Sequence, residues 1–119
     1  MSSQLTDREA DIMRVLWERG ASTVADVREC LAEPLAYTSV QTMLKILEDK
    51  GFVTHEEEGR QHRFHARVAE AAARQTALRH LIGKLFRGSS ELLLTQLVSD
   101  DKLTSAQIRR MRKVLSGQD

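Results

Sequence analysis

A single cysteine, Cys30, in 119 residues excludes an internal disulfide framework and any multi-cysteine metal site, and it suits a reducing cytosol. Aromatic residues are only 4% of the chain, so its core is expected to be aliphatic. No apolar run approaches the ~20 residues a membrane-spanning helix needs. The opening MSSQLTDREAD is polar and charged, unlike a signal peptide. A soluble, cytoplasmic protein without membrane contact is the expectation. No nucleophile elbow, phosphate-cradling glycine loop or zinc-hydrolase signature occurs, and a chain this small has little room for a substrate pocket. The chain is therefore expected not to be an enzyme and to need no cofactor. A strong charge of either sign is lacking too. Residues 1–67 hold nine Lys and Arg against twelve Asp and Glu, a net of minus three, while residues 68–119 hold nine against five, a net of plus four.

What is present is best seen in the stretch YTSVQTMLKILEDKGF, from Tyr37 to Phe52. Val40, Met43, Leu44 and Leu47 recur at the three- and four-residue spacing of a helix packed on a core. The opposite face carries Thr38, Gln41, Thr42 and Lys45, polar groups without the bulk that would hold a helix out of a nucleic-acid groove. Lys50-Gly51 ends the helix, with a glycine where a left-handed cap belongs. FVTHEE and QHRFHAR then read as two short strands around Glu58-Gly59-Arg60, a turn with glycine at its tip. A helix, a glycine stop and a hairpin suggest a winged helix, in which the helix enters the major groove and the wing lies along the backbone or the minor groove.

The flanking segments fit that frame. Thr6-Asp7-Arg8-Glu9 has the form of a capping box, predicting a first helix from Asp7 to about Arg19 with Ile12, Val15 and Leu16 buried. Gly20 ends it. Ser22-Thr23 opens a second helix carrying Val24, Val27 and Leu31, with Asp26 placed to complete a second box from Thr23 and with Pro34 as its stop. The short connection to Tyr37 makes the second and third helices a helix-turn-helix pair. Beyond the hairpin, a long helix is predicted from about Val68 to Arg87, a short one capped by Ser90 and running through Val98, and a last one capped by Thr104. The fold class expected is mainly α with a small β-hairpin: a winged helix-turn-helix domain over 1–67 and a three-helix region over 68–119. The three helices carry more aliphatic surface than about 50 residues can hide. Leu78, Leu81, Ile82, Leu85, Phe86, Leu93, Leu97, Ile108, Met111 and Leu115 are accordingly expected to form a dimerisation surface.

With these blocks in view, the chain resembles the BlaI/MecI/CopY-type penicillinase repressor family of bacterial transcription factors over nearly its whole length. LTDREADIMRVLWERG is similar to that family's opening helix, LAYTSVQTMLKILEDKGFV to its recognition helix and glycine stop, and the RF of HRFHA to its second wing strand. KLFRGSSELLLTQLVSDDKLTSAQIRRMRKVL resembles its dimerisation tail. The resemblance implies a homodimeric winged-helix repressor on a pseudo-palindromic double-stranded operator of the TACA/TGTA type, with antibiotic-resistance or stress genes as the class of target. It puts Thr38, Ser39, Gln41, Thr42 and Lys45 at positions that face DNA. Tyr37 in the helix, and Arg60 and Arg63 in the wing, complete the expected set.

Three departures stand out. Ile46 occupies a position where many relatives carry Arg. β-Lactam-responsive relatives are inactivated by a membrane sensor-protease system that cuts an Asn-Phe bond in the tail; the corresponding pair here is Gln96-Leu97, and the chain contains no Asn. Copper-responsive relatives carry clustered cysteines near the C-terminus, and this chain has only Cys30, expected to be a half-buried helix residue.

Two other readings are kept beside the repressor. One is a winged-helix module that docks a protein partner, consistent with the acidic first half. The other is a metal-responsive repressor using the wing histidines His55, His62 and His65. His62 and His65 are three apart on a strand, so they point to opposite faces and cannot easily share an ion. Gln41 is the strongest candidate for reading a base, because a carboxamide pairs bidentately with adenine N6 and N7.

Overall fold

A computed structural model describes residues 4–100 and 103–117. The chain forms two compact units, Met1–Gln75 and Thr76–Asp119. In the first, α1 (Asp7–Arg19) is followed by a two-residue strand β1 (Ser22–Thr23), α2 (Val24–Cys30), α3 (Tyr37–Asp49) and the hairpin strands β2 (Val53–Glu58) and β3 (Gln61–Ala66). α4 (Glu70–Leu85), α5 (Ser90–Ser99) and α6 (Ser105–Leu115) follow. No helix among the described residues is long and apolar enough to cross a membrane.

Local chemistry sets the helix starts. Thr6 accepts from the Glu9 backbone at 3.2 Å while the Glu9 carboxylate accepts from the Thr6 backbone at 2.9 Å, and Thr23 with Asp26 repeats the arrangement at 3.1 Å in both directions. α2 stops at Cys30, before Pro34 is reached. α3 ends in a Schellman motif: the Phe52 N–H donates to the Leu47 carbonyl, the Gly51 N–H to that of Glu48, and Gly51 takes a φ of +88°. That motif turns the chain sharply from α3 into the wing, so a side chain at Gly51 would be strained. α5 is capped by Ser89 rather than Ser90, the Ser89 hydroxyl accepting from the Leu92 N–H at 3.1 Å.

The expected hairpin is one part of a three-stranded antiparallel sheet of order β1-β3-β2. β3 is the central strand. Glu58 pairs with Gln61, leaving Gly59-Arg60 as a two-residue turn, and the φ of +64° at Gly59 suits the first position of a type II′ turn. On the other edge Ser22 pairs with Phe64 and Thr23 with Arg63, so the entry to α2 is stitched to the wing.

The core of the first unit joins α1, α2, α3 and the sheet. Ile12, Met13, Val27, Val40, Leu44, Leu47 and Val53 are fully buried. Met13 adds to the predicted face of α1, whereas Met43 of α3 is only half-buried. Phe52 and Phe64 also enter, so the core is aliphatic with two aromatic rings at its sheet side. Trp17 packs against it and donates its indole N–H to the Val68 carbonyl at 2.9 Å, holding the chain where it leaves the wing. In α4, α5 and α6, by contrast, no described residue is buried.

Candidate nucleic-acid interface

Burying Val40, Leu44 and Leu47 on one side of α3 leaves Tyr37, Thr38, Gln41, Thr42, Lys45 and Ile46 exposed on the other, with Ser39 half-buried. The helix begins at Ala36, which offers no side-chain cap, unlike the hydroxyls at the starts of α1 and α2. The first-turn N–H groups of α3 thus lack the acceptor that a capping residue supplies.

The exposed side of α3 divides between two hollows. Tyr37 and Gln41 line a cleft of about 190 Å³ together with Arg60, Gln61 and His62 of the wing and Thr23, Val24 and Ala25 at the start of α2. Helix and wing therefore share a surface at this point. Thr38, Ser39 and Thr42 line a separate, open hollow with Met43 and Ile46. Lys45 borders neither, and among the described residues no ion pair engages it or Arg60.

Arg63 is placed differently. Its Nε donates to Glu58 at 2.7 Å, its Nη1 lies 3.8 Å from Asp26 and donates to the Ala21 carbonyl at 3.3 Å. It lines a third hollow with Glu56, Glu57, Glu58 and His65. The bond to Glu58 and the charges of Glu58 and Asp26 raise its affinity for its proton further, so the guanidinium is cationic but already countered. Asp26 in turn is held below the usual carboxylate range, first by the Thr23 backbone N–H, with the charges of Arg19 and Arg63 adding to it.

The wing is tied to α3 by a row of groups that strand spacing alone does not display. His55 Nδ1 is 2.6 Å from Glu48 Oε2 in the last turn of α3, and the His55 ring stacks on His62 with centroids 4.3 Å apart. His62 Nε2 lies 3.8 Å from Glu57. Placing the turn at Gly59-Arg60 gives the register Glu57↔His62 and His55↔Phe64, from which the diagonal pairing of the two histidines follows. His65 lies instead in the hollow with Arg63. Among the described residues no three of His, Cys, Asp and Glu are disposed to hold a metal ion, so the metal-responsive reading gains no donor set from the fold. Cys30 is exposed rather than half-buried, and its sulfur accepts from Arg19 at 3.0 Å.

A second tie fixes the far end of α3. Lys50 Nζ lies 2.7 Å from Glu9 Oε1 and donates to the Gln4 carbonyl at 3.0 Å. Burial pushes the Glu9 carboxyl up, but the bonds from Lys50 and the Thr6 backbone, together with the ammonium charge, leave it below its ordinary value.

The described residues form six helices and a small sheet, with the polar side of α3 beside a wing. The penicillinase repressor of Bacillus licheniformis is 22% identical over 114 residues, covering 94% of this chain and 89% of its own. The methicillin resistance regulatory protein MecI of Staphylococcus aureus (strain N315) is 17% identical over 115 residues, with 95% and 94% covered. An uncharacterized 16.5 kDa protein in the ptsI 3' region of Latilactobacillus sakei is 25% identical over 117 residues, with 97% and 80% covered. A family model described as penicillinase repressor matches residues 5–117. That match takes in α3, the wing and the helices α4, α5 and α6, and the chain belongs to the penicillinase repressor family.

Proposed function

We propose that this chain is a homodimeric transcriptional repressor that occupies a pseudo-palindromic operator, inserting α3 into the major groove and laying the wing along the flanking backbone. The observation that carries the reading is the exposed polar side of α3, which opens into the same cleft as Arg60, Gln61 and His62 of the wing. A groove-reading helix needs donors and acceptors on a side without bulk, and a wing needs an uncommitted cation near it. Gln41 is assigned to a base edge, and Thr38, Ser39, Thr42 and Lys45 to bases and phosphates along the same groove. Arg60 is the wing's phosphate contact. Arg63 braces the wing against Glu58 and Asp26, so its contribution to DNA is made through the position of β3.

The second half supports two copies acting together. Leu78, Leu81, Leu85, Leu97 and Leu115 are exposed in the single chain, and Ile82, Phe86, Leu93, Ile108 and Met111 are only partly covered. Mutual burial of these side chains removes apolar surface from water and sets the distance between the two recognition helices. With a net of minus three over residues 1–67, one copy has little electrostatic hold on DNA, so the second half-site supplies much of the affinity. Repression then follows from occupying promoter DNA.

Selection of bound duplexes from a random pool tests the reading. Enrichment of two inverted half-sites at a fixed spacing supports it; a pool that returns no common sequence contradicts it.

A further inference from the structure

Ile46 lies one turn beyond Thr42 and two beyond Thr38, so the three form one stripe along α3. It is 41% exposed, while Val40, Leu44 and Leu47 complete the buried side of the helix at full burial. An aliphatic side chain thus ends a stripe whose other two members are threonines. With Thr38, Ser39, Thr42 and Met43 it lines the open hollow described above, whose lining carries methyl groups from both threonines, Met43 and Ile46 itself.

We propose that this hollow recognises thymine, with Ile46 as the specificity-determining residue that packs on thymine C5-methyl groups in the major groove. The inference rests on the DNA-reading role assigned to α3. In the major groove the base edges present donors and acceptors, which an isoleucine cannot satisfy, and one apolar group, the thymine methyl. A phosphate offers it nothing. The surroundings match duplex DNA rather than an apolar protein partner: between Thr38 and Ile46 the one charged side chain is the cation Lys45, and the remaining exposed groups are hydroxyls and a carboxamide. Hydroxyls of Thr38 and Thr42 can pair with neighbouring base edges while the methyl groups meet Ile46.

The test replaces thymines by deoxyuridine, which removes the C5-methyl and keeps the base pair. The full chain first selects its duplex from a random pool, and each thymine of one half-site is then exchanged singly. At the thymine facing Ile46, wild-type affinity is expected to fall about fourfold, the factor that follows from losing one buried methyl. Ile46→Ala, an exposed substitution whose fold is checked by thermal melting, should bind the thymine and deoxyuridine duplexes equally at that step. Deoxyuridine that costs both proteins the same, or costs the wild type nothing at any position, overturns the proposal. An Ile46→Ala chain that loses self-association in sedimentation while still discriminating the methyl assigns Ile46 to a contact between copies and also overturns it. A pool that yields no sequence at all brings down the DNA-reading role of α3, and this inference with it, so the two failures are told apart.

Discussion

Lys50, immediately after α3, holds its ammonium 2.7 Å from the carboxylate of Glu9 in the first turn of α1, 41 residues earlier in the chain. Glu9 is 4% exposed, so the pair is largely withdrawn from water. The contact also closes a local circuit, because the same Glu9 oxygen accepts from the Thr6 backbone and completes the α1 cap. Two helices that never adjoin in sequence are thereby held at one end, which orients α3 for whatever its other side meets.

Removing one partner of such a pair strands the other. Lys50→Met is expected to cost about 3 kcal/mol, because Glu9 then stays buried without its cation. The pH dependence follows from the lowered Glu9 value: its stabilisation is present above the unfolded-state value of about 4.3 and is lost as pH falls through the lower folded-state value. Urea melts of wild type and Glu9→Gln between about pH 3 and pH 6 check this, the variant losing less stability on acidification.

The uncapped start of α3 separates stability from function. Ala36→Asp supplies an N-cap and should stabilise the fold by about 1 kcal/mol, read by thermal melting. The same carboxylate beside a phosphate should weaken binding to every duplex. A variant that gained stability and kept its affinity would place the start of α3 away from DNA.

Gln41 shares the cleft with the wing and is expected to read one base. Gln41→Ala should relax the choice at that position by about 1–3 kcal/mol and leave the others unchanged. Binding measured on a panel of single-base operator variants checks it, and an unaltered preference would contradict the assignment.

The two wing arginines should behave differently. Arg60→Ala is expected to weaken all sequences alike and to lower the slope of log affinity against log salt by about one. Arg63→Ala should change that slope less, since Glu58 and Asp26 already counter its charge. Its larger effect is expected on the wing itself, seen as faster amide exchange in β2 and β3.

Much of this architecture is legible in the residues because its signals are local. Thr6 with Glu9 and Thr23 with Asp26 announce helix starts within four residues, Lys50-Gly51 announces a stop, and Gly59 marks the wing turn. The polar side of α3 follows from periodicity alone, since it is whatever Val40, Leu44 and Leu47 leave facing out. Features made by distant pairing are hidden. β1 has only two residues and exists because Phe64 and Arg63 lie opposite it. The Glu9–Lys50 pair, the His55–His62 stack and the commitment of Arg63 to Asp26 join segments whose proximity depends on the fold. The burial of Met13 and the exposure of Cys30 are hidden for a related reason: which neighbour covers a helix edge is set by the packing of other elements.

The proposed grip of two copies on duplex DNA through α3 and the wing sets both the stoichiometry and the salt dependence of binding. It is tested most directly by titrating the full chain onto its selected duplex over a series of salt concentrations while measuring how many chains bind. Two chains per duplex are expected, with a linear fall of log affinity with log salt, steep by about 0.9 for each phosphate neutralised. One chain per duplex, or an affinity indifferent to salt, would contradict it.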